Sequence, residues 1–352
     1  MRRRGFTIVE LLVVMAILLI LMSLLLPSFM RVREHARYVK WRAHAGALSR
    51  DASASIHFDF EDQQDLGLGD RLLNKASGGN PNLLGKGTGA EDGHGQLGVA
   101  SSINSAPTFF RDRIDNVFKA RFREKGGLRF EASLNERVPI NKTYGYRDLP
   151  EMSAAAWVRG TAGNANTNQV IMSFDRSSSF RFALRDDHGQ HKVGFDTCSE
   201  PAFPNNSVDN MQTKTDYVDS EWHLITATYN SAGTLDADGD GTPEVKRIYV
   251  DGVKLASSQL ASNQGTTSET NPHNGLPLGQ GKVELEPNWG DDGRRRTFGY
   301  LGVGSEAARF AGSTGPNAWL DAVIDQVVLL EREMDPKEIE LMYTVGKPRD
   351  ER

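Results

Sequence analysis

A nearly continuous apolar run from Phe6 to Leu26, broken by one charge at Glu10, restricts the architecture of this chain more than any other stretch. As an α-helix at 1.5 Å per residue it is about 31 Å long, the thickness of a bilayer core. Length and composition therefore make it a membrane segment. Arg2, Arg3 and Arg4 stand in front of it, and a basic leader of this kind stays on the cytoplasmic side. A secretory signal wants a shorter apolar stretch and an Ala-x-Ala-like site, and Pro27-Ser28-Phe29 offers none. Glu10 needs a reason of its own, because an ionised carboxylate deep in a membrane helix costs about 2.5–3.5 kcal/mol. A plain signal anchor has no use for it. A free α-amino group at Phe6 would lie one helical turn away, on the same chain or on a neighbouring one.

The stretch Gly5-Phe6-Thr7-Ile8-Val9-Glu10 behind a basic leader resembles the type III signal of type IV pilins and type II secretion pseudopilins. The resemblance implies cleavage between Gly5 and Phe6 by a prepilin peptidase, N-methylation of Phe6, and pairing of Glu10 with the N-terminal amine of an adjacent subunit. It also implies packing of the helix among other pilin or pseudopilin subunits. Pro27 falls where that family often places a helix-loosening proline.

Composition narrows the rest. The 352 residues exceed one small domain, and the net charge of −5 becomes −8 without the three leader arginines. A mildly acidic chain argues against nucleic acid as a partner. The single cysteine, Cys198, excludes an internal disulfide and reads as a packed thiol.

Beyond Pro27, apolar residues Phe29, Val32, Ala36, Val39, Ala43 and Ala47 keep helical spacing, with Arg31, Arg33, Arg37, Lys40 and Arg42 between them. The helix is expected to run to about Arg50, its basic residues forming a solvated face. From Asp51 the period changes: Ser53 to Glu61 alternates like a strand. Residues 67–98 read as loops, and Ile114, Val117, Phe118 and Phe122 suggest a short amphipathic helix within Arg111–Lys125. Short strand candidates with turn-rich breaks follow, as in a β-sandwich. Residues 260–281 read as an exposed loop. Asp335 caps a last helix opened by Pro336 and running through Tyr343.

The order of these pieces resembles a laminin-G-like, concanavalin A-like jelly roll. It is carried by Ile56-His57-Phe58-Asp59-Phe60-Glu61, Gly126-Gly127-Leu128-Arg129-Phe130, Met152 to Val158, Ser220 to Tyr229 with its Trp222-His223 pair, Arg247 to Val253 with a tight turn at Asp251-Gly252, and Leu320 to Leu330 with the following helix. The region 62–126 is longer than usual for that family, and Gln326 stands where Glu is commoner. The expected fold is thus a long N-terminal α-helix, transmembrane in its first half, followed by a mainly-β jelly-roll sandwich. Its parts are a leader at 1–5, the helix at 6–50 with 6–26 in the membrane, the jelly roll at 51–346 and a tail at 347–352.

Asp236-Ala237-Asp238-Gly239-Asp240-Gly241-Thr242 has carboxylates at alternate positions and glycine at the sixth, as in the first half of an EF-hand loop. Position twelve is Arg247, so a complete EF-hand is excluded; Asp236, Asp238, Asp240 and Thr242 remain candidate Ca²⁺ ligands. The jelly-roll resemblance implies a second candidate, a structural Ca²⁺ held by Asp59, Glu61 and Asp325. Glu333-x-Asp335-x-x-Glu338 has the spacing of jelly-roll glucanases, but Pro336 breaks the strand that chemistry needs. The histidines form no HExxH pair. Trp157 and Trp222 fall in core-like strands, while Trp289 sits in a loop-like stretch and is the candidate for sugar stacking.

Together these features describe a non-catalytic pilin-like subunit of a type II secretion or type IV pilus-like system, in the inner membrane with its C-terminal module periplasmic or extracellular. The alternatives are a displayed module that binds carbohydrate or protein, and a tethered glycoside hydrolase.

Overall fold

The computed structural model describes residues 7–61, 66–67, 70–76, 95–97, 107–111, 118–122, 128–133, 147–149, 151–160, 169–174, 180–187, 190–198, 208–213, 216–230, 244–258, 283–285, 288–289, 295–302, 319–346 and 348. The chain falls into two compact units, Met1–His44 and Ala45–Arg352.

Helix α1 (Ile8–Arg50) runs through Pro27 without ending, so the apolar and basic halves share one helix. Its last turn, from Ala45, belongs to the second unit. There Leu48 is buried with Ala54, Trp157, Trp222 and Leu330.

The second unit is built on antiparallel sheets. One has the order β15 (Val253–Ser258), β14 (Lys246–Val250), β13 (His223–Asn230), β8 (Glu151–Gly160), β19 (Ala322–Leu330), β5 (Phe118–Phe122), β4 (Thr108–Arg111), with β1 (Ala54–Phe58) also paired to β19. The other has the order β12 (Val208–Gln212), β11 (Gln190–Cys198), β10 (Phe180–Asp187), β9 (Gln169–Phe174), β18 (Arg295–Leu301), β6 (Leu128–Ser133), β3 (Gly95–Leu97), β2 (Arg71–Leu72), with β17 (Asn288–Trp289) on β18. A small ribbon pairs β16 (Val283–Leu285) with β7 (Arg147–Leu149).

The first sheet is buried on both faces. Its inner residues, among them Met152, Ala154, Ile225, Ala227, Val327 and Leu329, share a core with Ile171, Met172, Phe182, Leu184, Val193 and Phe195 of the other sheet. Its outer residues Trp157, Leu224, Tyr249, Val328 and Leu330 lie under Ile339 and Met342 of α2 (Pro336–Gly346) and beside Leu48. This double cover is why β8 and β19 read as continuous apolar runs rather than alternating ones: every residue of β19 is buried. The layers meet closely. A Cβ at Gly346 would stand 2.7 Å from Trp157 Nε1, so only glycine lets the end of α2 lie on that indole.

Two expectations change. Phe118-Lys119-Ala120-Arg121-Phe122, placed above within an amphipathic helix, is the strand β5, with Arg111 of β4 paired to Phe118. Its apolar residues alternate with cations, a period of two that suits a sheet margin better than a helix. The stretch 67–98, read as loops, contributes β2 and β3. The turn expected at Asp251-Gly252 is present, with φ of 53° and 82°. Positive φ at both central residues is the type I′ requirement that favours Asp-Gly.

Candidate assembly segment and the faces of the module

At the start of α1, Thr7 and Glu10 form a reciprocal cap. The Thr7 backbone N–H donates to Glu10 Oε2 at 2.8 Å, the Thr7 hydroxyl donates to the same oxygen at 2.9 Å, and the Glu10 N–H donates to Thr7 Oγ1 at 3.3 Å. This is the Thr-x-x-Glu capping box, which satisfies helix-end donors that no backbone carbonyl reaches. The carboxylate therefore has a use within its own helix, contrary to the expectation that an anchor has none for it. Gly5 and Phe6 lie outside the described residues.

Behind the cap, every large apolar side chain from Ile8 to Leu26 is exposed, between 46% and 79% of its surface. The one hydroxyl between Ile8 and Leu26, that of Ser23, donates to its own helix at Ile20 O, 2.7 Å away. The helix thus shows apolar surface with its polar groups satisfied internally, as a lipid or protein interior requires. It is long and apolar enough to cross a membrane.

Where α1 ends, two polar links tie its last turn to distant strands. Gln326 Nε2 donates to His57 Nε2 at 2.7 Å, which fixes the Nδ1–H tautomer. His57 Nδ1 then donates to Ser49 Oγ at 2.7 Å, and Ser49 donates to Ala45 O at 3.1 Å. An irregularity in the β19–β8 register between Ile324 and Val327 sets Gln326 at this place. In the second link Arg332 spans Asp51 and Glu338, at 2.8 Å and 2.7 Å from its Nη2. Burial raises the Asp51 carboxyl, and the hydrogen bonds from Arg332 and Ser53 outweigh it, leaving its pKa below the ordinary value.

The three carboxylates with glucanase spacing have separate structural partners. Asp335 caps α2, accepting from the N–H groups of Lys337 at 2.7 Å and Glu338 at 2.9 Å. Glu338 returns the bond to the Asp335 N–H at 3.0 Å and holds Arg332. Glu333 accepts from Asn230 at 2.7 Å and from Arg247, whose fully buried guanidinium also meets Glu244. Burial, with Glu151 nearby, raises the Glu333 carboxyl against the pull of Asn230 and Arg247. None of the three projects from a strand face.

Of the candidate Ca²⁺ set, Asp59 and Asp325 are buried and Glu61 is half-buried. Asp59 already faces an ammonium, Lys75 Nζ at 2.8 Å, and accepts from the Glu61 N–H at 3.2 Å. Among the described residues no group of three or more His, Cys, Asp or Glu side chains is arranged to hold a metal. Asp236, Asp238, Asp240 and Thr242 lie outside the described residues. The backbone of Trp289 is in strand β17, opposite Arg295, rather than in a loop; its side chain is outside the described set. Trp157 and Trp222 are core residues, 0% and 2% exposed, as their strands suggested.

The Trp-His strand opens on a clasp that sequence reasoning missed. His223 Nδ1 meets Asp251 Oδ2 at 2.8 Å and Nε2 meets Asp219 Oδ1 at 3.1 Å. The other Asp251 oxygen accepts from the Leu224 N–H at 2.9 Å. Burial lowers the imidazole pKa, and Asp251 followed by Asp219 more than reverses this, so it stands above the usual histidine value.

Comparison with known proteins meets this geometry at both ends of the chain. Residues 1–26 match the family model for the prokaryotic N-terminal methylation motif. Residues 138–289 match that for the concanavalin A-like lectin/glucanases superfamily. No curated protein matches the chain. Among solved structures, domain 4 of AbnA, a GH43 extracellular arabinanase from Geobacillus stearothermophilus in complex with arabinotriose, is 14% identical, with a TM-score of 0.42 over 82% of this chain and 97% of that one. The botulinum neurotoxin serotype D ligand binding domain in complex with N-acetylneuraminic acid is 12% identical, with a TM-score of 0.44 over 86% of this chain and 53% of that one. The botulinum neurotoxin serotype G binding domain is 14% identical, with a TM-score of 0.40 over 72% and 47%. The chain therefore joins a prepilin-type methylation motif, on an apolar helix, to a concanavalin A-like jelly-roll module.

Proposed function

We propose that this chain is a pilin-like or pseudopilin-like subunit, processed by a prepilin peptidase and assembled through α1 with other such subunits. It stands in the inner membrane and carries the jelly-roll module on the periplasmic or extracellular side, in a type II secretion or type IV pilus-like system. The observation that carries this reading is the methylation motif placed directly on an exposed apolar helix whose single charge, Glu10, sits in its first turn. In a filament the amine of a neighbouring Phe6 would neutralise Glu10 and set the register of packing. The role is assembly and display rather than catalysis; Glu333, Asp335 and Glu338 serve the framework instead.

Intact mass and N-terminal sequencing of the membrane-extracted protein test it. A chain beginning at N-methyl-Phe6 is expected. A chain that keeps Met1, or one cut near residue 30, overturns the reading.

The match to the concanavalin A-like lectin/glucanases superfamily supports a second reading of the displayed module, binding of a carbohydrate or protein ligand. A glycan array probed with the whole solubilised chain, with Trp289→Ala as control, tests that role. Signal lost in the variant supports it, and an array without signal removes the glycan branch.

A further inference from the structure

In the proposed orientation, cations at the exported end of α1 oppose the usual retention of Lys and Arg on the cytoplasmic side. Five of them follow the apolar run closely: Arg31, Arg33, Arg37, Lys40 and Arg42, with Glu34 the one acid among them. Once the leader is removed, residues 6–9 hold no Lys or Arg to balance them. Charges carried against that bias need a use where they stand.

Glu10 and Arg31 are successive charged residues of this helix, and the 20 residues between them, Leu11–Met30, carry no charge. As an α-helix they span about 30 Å, the thickness of a hydrocarbon core. The apolar surface does not stop at Leu26: Phe29 is 66% and Met30 63% exposed, as open as the run before them, and Pro27 does not end the helix. With Leu11–Met30 in the core, Glu10 stands at one boundary rather than inside the apolar layer, and Arg31 stands at the other. Beyond Met30 the rise of the helix sorts the cations by depth. Arg31 and Arg33 lie about 1.5 and 4.5 Å past it, within a headgroup layer of about 5–7 Å per leaflet, while Lys40 and Arg42 lie about 15 and 18 Å past it, clear of that layer. Arg31 and Arg33 are both exposed, with Val32 open between them. They stand about 200° apart around the helix, so each meets its own neighbouring lipid. A guanidinium presents a planar fork of donors that matches a phosphate, and its stem lies along apolar surface.

We propose that Arg31 and Arg33 seat the phosphates of anionic phospholipids in the leaflet at their end of α1, fixing the depth of Leu11–Met30. Two observations select this occupant. The cations require an anion, and their surroundings continue the apolar surface of the membrane run, so the ligand brings a phosphate and acyl chains together. The proposal rests on the membrane reading of α1 above and adds to it the class of lipid that the helix takes.

The full-length chain with Cys198→Ser and a coumarin on Ser28→Cys, reconstituted in phosphatidylcholine vesicles, tests it. Energy transfer is read to a trace of acyl-labelled phosphatidylglycerol and, separately, of acyl-labelled phosphatidylcholine. Phosphatidylglycerol should be enriched about twofold around the helix, the gain at two arginines being averaged over the whole lipid shell. Arg31→Gln with Arg33→Gln should bring the ratio to about one, and Lys40→Gln with Arg42→Gln should leave it unchanged. Equal losses in the two pairs would mean a diffuse attraction to a basic surface and overturn the two seats. Enrichment abolished by soluble glycerol phosphate would make free phosphate the ligand and overturn the lipid assignment. Transfer to both lipids without preference overturns the proposal, leaves the arginines to a protein partner and leaves the membrane reading standing. Absence of transfer to either lipid overturns the two together.

Discussion

Glu10 Oε2 accepts two hydrogen bonds from Thr7, at 2.8 Å from its backbone nitrogen and 2.9 Å from its hydroxyl. The carboxylate proposed to meet a neighbour's amine is therefore already engaged within its own chain through one of its two oxygens. Thr7→Ala and Glu10→Ala separate the two roles. Thr7→Ala should cost about 1 kcal/mol of helix capping and still assemble. Glu10→Ala should insert at least as well as the parent and assemble poorly. Quantifying membrane insertion and sheared filaments for both variants decides this, and normal assembly of Glu10→Ala would remove the proposed pairing.

The clasp at the foot of α1 should be felt in acid. Asp51 has a lowered pKa, so its contribution is present above the ordinary aspartate value and fades as pH falls through the lower folded value. Asp51→Asn should lower stability by about 1 kcal/mol at pH 7, since Arg332 is partly solvated, and the gap to the parent should close below about pH 4. Urea unfolding of both proteins across that range measures it.

The His223 clasp carries the opposite sign. A raised imidazole pKa stabilises the fold fully below the unfolded value near 6.5, and the gain disappears as pH rises through the folded value. His223→Gln should therefore be less stable than the parent at pH 6, by about 0.5 kcal/mol after allowing for solvent screening. At pH 9 the two should melt together. Equal melting temperatures at pH 6 would show that the two aspartates do not hold the imidazolium.

Gly346→Ala places a methyl group 2.7 Å from Trp157 Nε1, against an indole with no exposed surface. Neither the closing turn of α2 nor the sheet below has room to yield cheaply, and a cost of about 1–3 kcal/mol is expected. Near-ultraviolet circular dichroism through thermal unfolding reads both the loss and the changed environment of the tryptophan. Gly346→Ala unfolding at the parent temperature would mean that α2 lifts freely.

Arg247 has no exposed side-chain surface and lies between Glu244 and Glu333. Arg247→Met should cost about 3–5 kcal/mol, because it leaves Glu333 buried beside Asn230 without the Arg247 guanidinium, while Glu244 keeps Lys254. Adding Glu333→Gln should recover part of that loss, and denaturant titration of the single and double variants measures the coupling.

Much of this was legible in the sequence because it is encoded locally. A charge-poor run of sufficient length sets the apolar half of α1, and helical spacing carries it to Arg50. Asp335 before Pro336 and Asp251-Gly252 specify a cap and a turn within a few residues. The Thr7–Glu10 cap is equally local, since the Thr-x-x-Glu spacing lies within one helical turn. Phe118–Phe122 shows the limit of local reading: its apolar residues satisfied a loose helical pattern, and pairing with β4 and β19 selected the strand. What the tertiary structure alone decided are contacts whose members have no signature near one another. Asp51 meets Arg332 across 281 positions and His57 meets Gln326 across 269. A chain with 41 Lys and Arg and 46 Asp and Glu offers far more pairings than it makes. Strand order, register and the irregularity near Gln326 bring these partners within hydrogen-bond reach, and that selection is a property of the packed sheets rather than of any stretch of sequence.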